Sequence, residues 1–243
     1  MGGLGRNAKN MSLHADHISH YFELDYGPLL NICDLGSDET HSIIEREREA
    51  VTGFNRFSHG QNFFDYRKLA DDLLLQLYSE KFDRPAPRRP YFAVLGDADV
   101  VAGLYRDPHK ISIPIEEFEE HELTFMCPDH FHLVGLSNIE VKNHFGLQAP
   151  EDYNEEEYPY FGKLLTYIEL KEQFHELKID LFLDENMRTN YWYRYVEAQI
   201  WADPQDLRSR FTDWTEVDPE PWSSSTITYL QNYKDISRRT SQK

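Results

Sequence analysis

Cysteine is scarce in this chain, and long apolar runs are missing from it. Its 243 residues include 2 cysteines, Cys33 and Cys127, which are too few for a disulfide framework or a tetrahedral thiolate site. A reducing cytoplasm is therefore the expected location. No stretch approaches the ~20 apolar residues that span a bilayer, so we expect no membrane-spanning segment. The polar start of the chain lacks the apolar core of a signal peptide, and residues 1–12 are expected to form a flexible leader.

Basic residues are few relative to acidic ones. The chain has 25 Lys and Arg against 43 Asp and Glu, a formal net charge of -18. A protein with this negative charge repels phosphate backbones, and it has few lysines and arginines to displace counterions from them. Nucleic acid is therefore disfavoured as a partner. The acidic residues are densest over 116–120 and 151–157. These runs are consistent either with solvated surface or with a docking surface for a basic partner.

Several catalytic and metal-binding signatures are also missing. The chain contains no phosphate-binding G-x-x-x-x-G-K-[ST], no G-x-G-x-x-G and no G-x-S-x-G. Histidines recur at 14, 17 and 20, and again at 130 and 132, where two imidazoles are predicted on one side of a strand. Neither run has the spacing of a metal motif, so we predict no metal site. Cys127 with His130 is a conceivable nucleophilic pair, but an inert, buried cysteine at a strand end is the favoured interpretation.

The composition is that of a folded protein, with 40% hydrophobic and 14% aromatic residues. Helical spacing of apolar residues predicts helices over 37–49, 64–81 and 160–177, and a short helical segment over 28–33. Period-two patterns predict strands over 20–24, 91–95, 101–105, 110–115, 123–127 and 191–201. The expected fold is a single α+β domain over 13–235, with a mixed or antiparallel central sheet and helices mainly from the N-terminal half. Residues 236–243 are expected to form a flexible tail.

The strand over 191–201 is the most informative segment. Alternate residues of a strand share a face, so Val196, Ala198 and Ile200 are expected to point into a core. Glu197 falls on the other face, between two tyrosines on one side and Gln199 on the other. A carboxylate in this position is consistent with a working acid or base, and equally with a hydrogen-bonded structural residue. The pattern alone leaves both interpretations open.

The order of segments resembles a known family. The sequence His-Tyr-Phe-Glu-Leu from His20, followed by residues 26–32, resembles the opening of the small ADP-ribosyltransferase-like proteins. That family includes DNA-modifying ADP-ribosyltransferase toxins and tRNA 2′-phosphotransferases. Residues 111–115 and 123–125 resemble the paired central strands of these proteins, and 195–199 resembles the late strand with their catalytic glutamate. The layout is also similar to a set of uncharacterised bacterial proteins.

This resemblance implies an enzyme that uses NAD as its cofactor. Glu197 would be the catalytic residue and would stabilise an oxocarbenium-like transition state. His20 would hydrogen-bond a ribose of NAD, and Tyr21 or a tyrosine of the central strands would stack on the nicotinamide. Tyrosines of the late strand, such as Tyr195, and the strand over 91–95 would wall the cleft. Arg67, or the arginines at 88 and 89, would meet the pyrophosphate, because a guanidinium fork suits phosphate oxygens. The chain departs from the family at Phe22, where a threonine is usual.

A non-enzymatic function is the alternative. Acidic proteins of this size include immunity and inhibitor proteins of toxin–antitoxin type, which bind a basic protein partner by charge complementarity. Exposed aromatic residues would then be the anchors, and Tyr153, Trp214 and Trp222 are the candidates. A pocket that contains both His20 and Glu197 would favour the enzyme. A flat acidic face, with those two residues far apart, would favour the binding protein.

Overall fold

An antiparallel sheet organises the fold. The computed structural model describes residues 15–50, 61–137, 156, 159–183 and 195–218. Within these ranges the sheet has six strands, in the order β4-β5-β2-β1-β3-β6, and every pairing is antiparallel. The strands are β1 (His17–Glu23), β2 (Tyr91–Leu95), β3 (Pro108–Pro114), β4 (Leu123–Met126), β5 (Glu197–Ile200) and β6 (Thr215–Glu216).

The two longest helices in the described ranges come from the N-terminal half of the chain, and shorter ones follow. They are α1 (Ser37–Ala50), α2 (Gln61–Phe82), α3 (His132–Ser137), α4 (Tyr167–Gln173), α5 (Ile179–Leu183) and α6 (Pro204–Arg210). Short 3-10 helices cover Leu24–Tyr26, Ile32–Asp34, Asp99–Leu104 and Ile115–Glu117. No helix in these ranges combines the length and the apolar character needed to cross a membrane.

The two faces of the sheet differ in chemistry. Ser19, Val94 and Glu197 lie opposite one another across β1, β2 and β5, so they share a face. This face, called here the α2 face, packs against α2, where Tyr78 lies 4.3 Å from the ring of Trp201. The residues that alternate with these along each strand, such as Ala198 after Glu197, point to the opposite face, called here the core face. There the main hydrophobic core lies under α4, α5 and α6.

The predicted α+β class and antiparallel sheet are confirmed. Within the described part of the late strand, β5 places Ala198 and Ile200 in the core and Glu197 on the other face, as the alternation predicts. The strand predicted over 101–105 is wrong, because Asp99–Leu104 is a 3-10 helix. Its Ala102 is buried against Tyr21 and Val94, so the segment covers the α2 face instead of extending the sheet.

Two further predictions need correction. The helix predicted over 160–177 is shorter, because Leu165 pairs with Phe125 in a β-bridge and Thr166 then begins α4 with a capping box. The histidines at 130 and 132 do not share one side of a strand, since β4 ends at Met126 and His132 begins α3. The predicted leader and tail, and the anchors Tyr153 and Trp222, lie outside the described residues.

Candidate functional site

A solvent-open pocket lies between β1 and α2, and we call it the β1–α2 pocket. The space within it amounts to about 840 Å³, a figure that includes the open solvent at its mouth. The pocket draws on β1 and the turn after it, on α1, on α2 and on β2. Its lining residues include His20, Tyr21, Glu23, Tyr26, Leu30, Asn31, Ile43, Glu47, Phe63, Arg67, Phe92 and Tyr105.

Arg67 of α2 is the cation of this pocket. Its Nε donates a hydrogen bond to Asp71 Oδ1 at 3.1 Å, and its guanidinium carbon lies 4.1 Å from the centroid of the Phe92 ring. The side chain keeps 20% of its surface exposed. No described residue accepts a hydrogen bond from its two terminal nitrogens. The flat guanidinium is therefore fixed at one edge by Asp71 and on one face by Phe92, with donors left for a ligand.

Asp71 fixes the position of the Arg67 side chain. One helical turn separates the two residues, so they share a face of α2. The Asp71 carboxylate is fully buried and also accepts a hydrogen bond from Asn31 Nδ2 at 3.0 Å. Burial alone would raise the pKa of Asp71, but Arg67, His130 and Asn31 more than offset it and hold the pKa well below its ordinary value. Asp71 is consequently charged at neutral pH.

His130 connects Asp71 to Glu197. Its Nδ1 lies 2.8 Å from Glu197 Oε1, and its Nε2 lies 3.4 Å from Asp71 Oδ1, an ion-pair distance outside good hydrogen-bond geometry. The ring also stacks on Phe92, with centroids 4.1 Å apart. Burial acts to lower the pKa of His130, and the Glu197 and Asp71 carboxylates more than offset this, so the pKa is raised. The two carboxylates therefore favour the protonated form of the ring.

Glu197 receives further hydrogen bonds from the sheet. The backbone N–H of His130 and the side chain of Gln199 both donate to Oε1, at 3.1 and 2.8 Å. Gln199 in turn accepts from Thr124, whose hydroxyl accepts from the indole N–H of Trp201. The hydrogen bonds therefore run in one direction, from Trp201 through Thr124 and Gln199 to the Glu197 carboxylate. Glu197 is 5% exposed and is not among the lining residues of the pocket.

His20 occupies a different place from Glu197. It directly follows Ser19 in β1, so the register puts it on the core face, where its ring stacks on Phe22. Its Nδ1 lies 2.7 Å from the carbonyl of Phe92, and its Nε2 accepts the backbone N–H of Leu29 at 2.8 Å. Burial lowers the pKa of His20 to about 4. His20 is thus a neutral imidazole with both nitrogens bound by the main chain.

The structure brings together three of the five residues that the sequence singles out. His20, Tyr21 and Arg67 line the β1–α2 pocket, whereas Tyr195 and Glu197 do not. Tyr21 is 2% exposed, and its hydroxyl accepts the backbone N–H of Ala98 at 3.0 Å. Tyr195 packs beside Tyr21 and Val94 in a cluster on the α2 face. A ribose could bind His20 only by replacing one of its two main-chain hydrogen bonds.

Sequence reasoning missed three residues of this site: Asn31, Asp71 and His130 in its present role. The Arg67–Asp71 spacing on a predicted helix was a usable signal for an ion pair. His130 and Glu197 are 67 positions apart, and no local pattern connects them. Cys127 is buried, with its pKa raised well above the ordinary value by burial, so it is an inert thiol as favoured from the sequence.

Comparison of the chain with protein-family models, with curated proteins and with solved structures returned no match. The resemblance to ADP-ribosyltransferase-like proteins therefore stays a prediction. In the described ranges, no group of three or more His, Cys, Asp and Glu side chains is arranged to hold a metal ion. The site is thus a pocket with one anchored guanidinium, aromatic walls and a buried polar network behind it.

Proposed function

We propose that this protein binds a dinucleotide of the NAD type in the β1–α2 pocket. The observation that carries the proposal is Arg67, which lines the pocket while only Asp71, among the described residues, accepts a hydrogen bond from it. A guanidinium presents paired N–H donors that match phosphate oxygens. Arg67 is pre-oriented by Asp71 and Phe92, so little side-chain entropy is lost when a pyrophosphate binds.

The walls of the pocket support a ligand with flat rings. Phe63 and Tyr105 are among its lining residues, and aromatic faces stack on bases. Two carboxylates also line the pocket, but each has a cation beside it. Glu23 Oε1 lies 3.3 Å from Nη2 of Arg106, and Glu47 Oε1 lies 3.7 Å from Nε of Arg46. The carboxylates are therefore partly neutralised, which lowers the cost of bringing in a pyrophosphate.

The transferase step that the resemblance implies needs a carboxylate at the developing positive charge. Glu197 is separated from the pocket by His130, Asp71 and Arg67, and its Oε1 accepts three hydrogen bonds. To meet a nicotinamide ribose it would have to leave His130. The geometry thus supports binding of the dinucleotide, and transfer catalysed by Glu197 stays a prediction. Both Cys33 and Cys127 are free thiols, which supports the proposed cytoplasmic location.

A thermal-shift screen with NAD, ADP-ribose and nicotinamide tests the proposal. A ligand that binds only the native state raises the melting temperature with its concentration. NAD and ADP-ribose are expected to raise it and nicotinamide alone is not, since nicotinamide lacks the pyrophosphate. If neither of these two pyrophosphate compounds shifts the melting temperature at millimolar concentration, the proposal is contradicted. Monitoring free nicotinamide in the same samples shows whether the bound NAD is also cleaved.

A further inference from the structure

A second concave surface lies where β1 begins and β3 ends, and we call it the acidic groove. Its floor is apolar and consists of Ile115, Phe118, Leu123, Tyr167 and Ile168. Ile168, at the start of α4, is 53% exposed, more than any other large hydrophobic side chain in the described part of the chain. An exposed apolar strip with a polar rim is typical of an interaction surface.

The rim of the groove is acidic. Asp16, Glu116, Glu119 and Glu120 line it, and the histidine His17 is the one basic side chain among the described lining residues. Asp16 lies 3.0 Å from His17, and Glu119 lies 3.5 Å from His121. Within the described residues, Glu116 and Glu120 have no ion pair. This rim attracts cations.

Acidic residues next to the groove, unlike Glu116 and Glu120 on its rim, have ion-pair partners within the protein. Glu117, on the same 3-10 turn as Glu116, points away from the groove and pairs with Arg210 at 2.7 Å. Glu169, next to Ile168, pairs with Lys81 at 2.5 Å. The nearest lysine on α4, Lys171, has its ammonium 4.4 Å from the centroid of the Tyr167 ring. Glu117 and Glu169, outside the groove, are therefore paired with protein cations, whereas Glu116 and Glu120 on its rim have no such partner among the described residues.

The turn before β4 explains how the groove forms. Residues three apart lie on the same side of a 3-10 turn, so Ile115 and Phe118 both point inwards while Glu116 points out. The acidic run over 116–120 is consistent, in the sequence, with solvated surface or with docking. Phe118 of this run and the preceding Ile115 form part of the floor of the groove, which spans about 1180 Å³ when the solvent at its open side is included.

We propose that the acidic groove binds a basic segment of a partner protein, one that carries apolar side chains flanked by lysine or arginine. The apolar side chains would cover Ile168 and Phe118, and the cations would pair with Glu116 and Glu120. Charge complementarity selects this occupant. A second copy of this chain is disfavoured, because it would bring a net charge of -18 to an acidic surface. The proposal is independent of the dinucleotide pocket.

Fluorescence anisotropy with the full chain tests the inference. The probe is a labelled short peptide of alternating lysine and leucine, compared with oligolysine of equal length and with a glutamate–leucine peptide. The lysine–leucine peptide is expected to bind most tightly and the glutamate–leucine peptide not at all. The groove variant carries Glu116→Gln, Glu119→Gln and Glu120→Gln. It should bind about tenfold more weakly, from the sum of three exposed ion pairs.

A matched control separates the groove from the general charge of the molecule. It removes three exposed carboxylates that do not line the groove, through Asp38→Asn, Glu176→Gln and Asp213→Asn. Its affinity should stay within about twofold of the wild type, while Ile168→Ser should weaken the lysine–leucine peptide but not oligolysine. Equal weakening by the control, or no effect of Ile168→Ser, overturns the proposal. Self-association of the wild type that Ile168→Ser abolishes would also overturn it, because the occupant would then be a second copy.

Discussion

His130 and Glu197 form a buried ion pair, with Nδ1 of the imidazole 2.8 Å from Oε1 of the carboxylate. The other nitrogen of the same ring faces Asp71, which in turn fixes Arg67 at the pocket wall. Four ionisable groups thus form a contiguous row from the sheet to the pocket. A buried charge that loses its partner is costly, so these groups should depend on one another for stability.

The first prediction concerns Glu197→Gln. This change keeps the shape of the side chain but removes the charge opposite His130, so we expect a loss of about 3 kcal/mol in the free energy of unfolding. Urea denaturation at neutral pH measures it. Glu176→Gln, at an exposed position, is the control and should change stability by less than ~0.5 kcal/mol. Equal stabilities of the Glu197 variant and the wild type would show that the ion pair contributes nothing.

The second prediction concerns the pKa of His130. Because its pKa is raised in the folded protein, His130 contributes stability below its unfolded pKa, and this contribution is lost as pH rises through the folded pKa. In Glu197→Gln the raising carboxylate is gone, so the folded pKa of His130 should fall. NMR titration of the His130 ring measures this shift directly. The same pKa in both proteins would contradict the role assigned to Glu197 in raising it.

The third prediction concerns His20. Its pKa is lowered from 6.5 to about 4 in the folded protein, so the unfolded chain binds more protons between these values. Stability should therefore fall as pH is lowered from 6.5 towards 4, by up to about 3 kcal/mol from this residue. His20→Gln can retain both main-chain hydrogen bonds and does not titrate. Urea denaturation at several pH values should show a shallower pH dependence for the variant, and identical slopes would rule the account out.

The fourth prediction concerns Thr124. Its hydroxyl joins the Trp201 indole to Gln199, and Thr124 itself is fully buried. Thr124→Val keeps the volume and leaves the indole N–H and the amide oxygen without their partner, so a loss of about 1–3 kcal/mol is expected. Thr124→Ser keeps the hydroxyl and should lose less. The two variants are compared by thermal melting, and a valine variant as stable as the serine variant would contradict the hydrogen-bonded line.

The sequence predicts some of these features and hides others for physical reasons. Period-two patterns locate β2, β3 and β5 because alternation is a local property of a strand. The 3-10 helix Asp99–Leu104 escapes prediction, since Ala102 is buried by the distant β1 and β2. Arg67 is identified as a pocket residue, and its partner Asp71 is one helical turn away. The link from Asp71 to Glu197 depends on His130, whose position is set by tertiary packing alone.

The most direct test of the dinucleotide pocket is titration calorimetry with ADP-ribose on the wild type and two pairs of variants. Arg67→Lys keeps the charge but loses the fork, and Leu30→Trp fills the pocket from a position that is 37% exposed. Arg84→Lys and Leu69→Trp, outside the pocket lining, are the matched controls. We predict saturable binding to the wild type and both controls, weakened about tenfold or more by each pocket variant. Absence of saturable binding, or equal affinities for all five proteins, would contradict the proposed function.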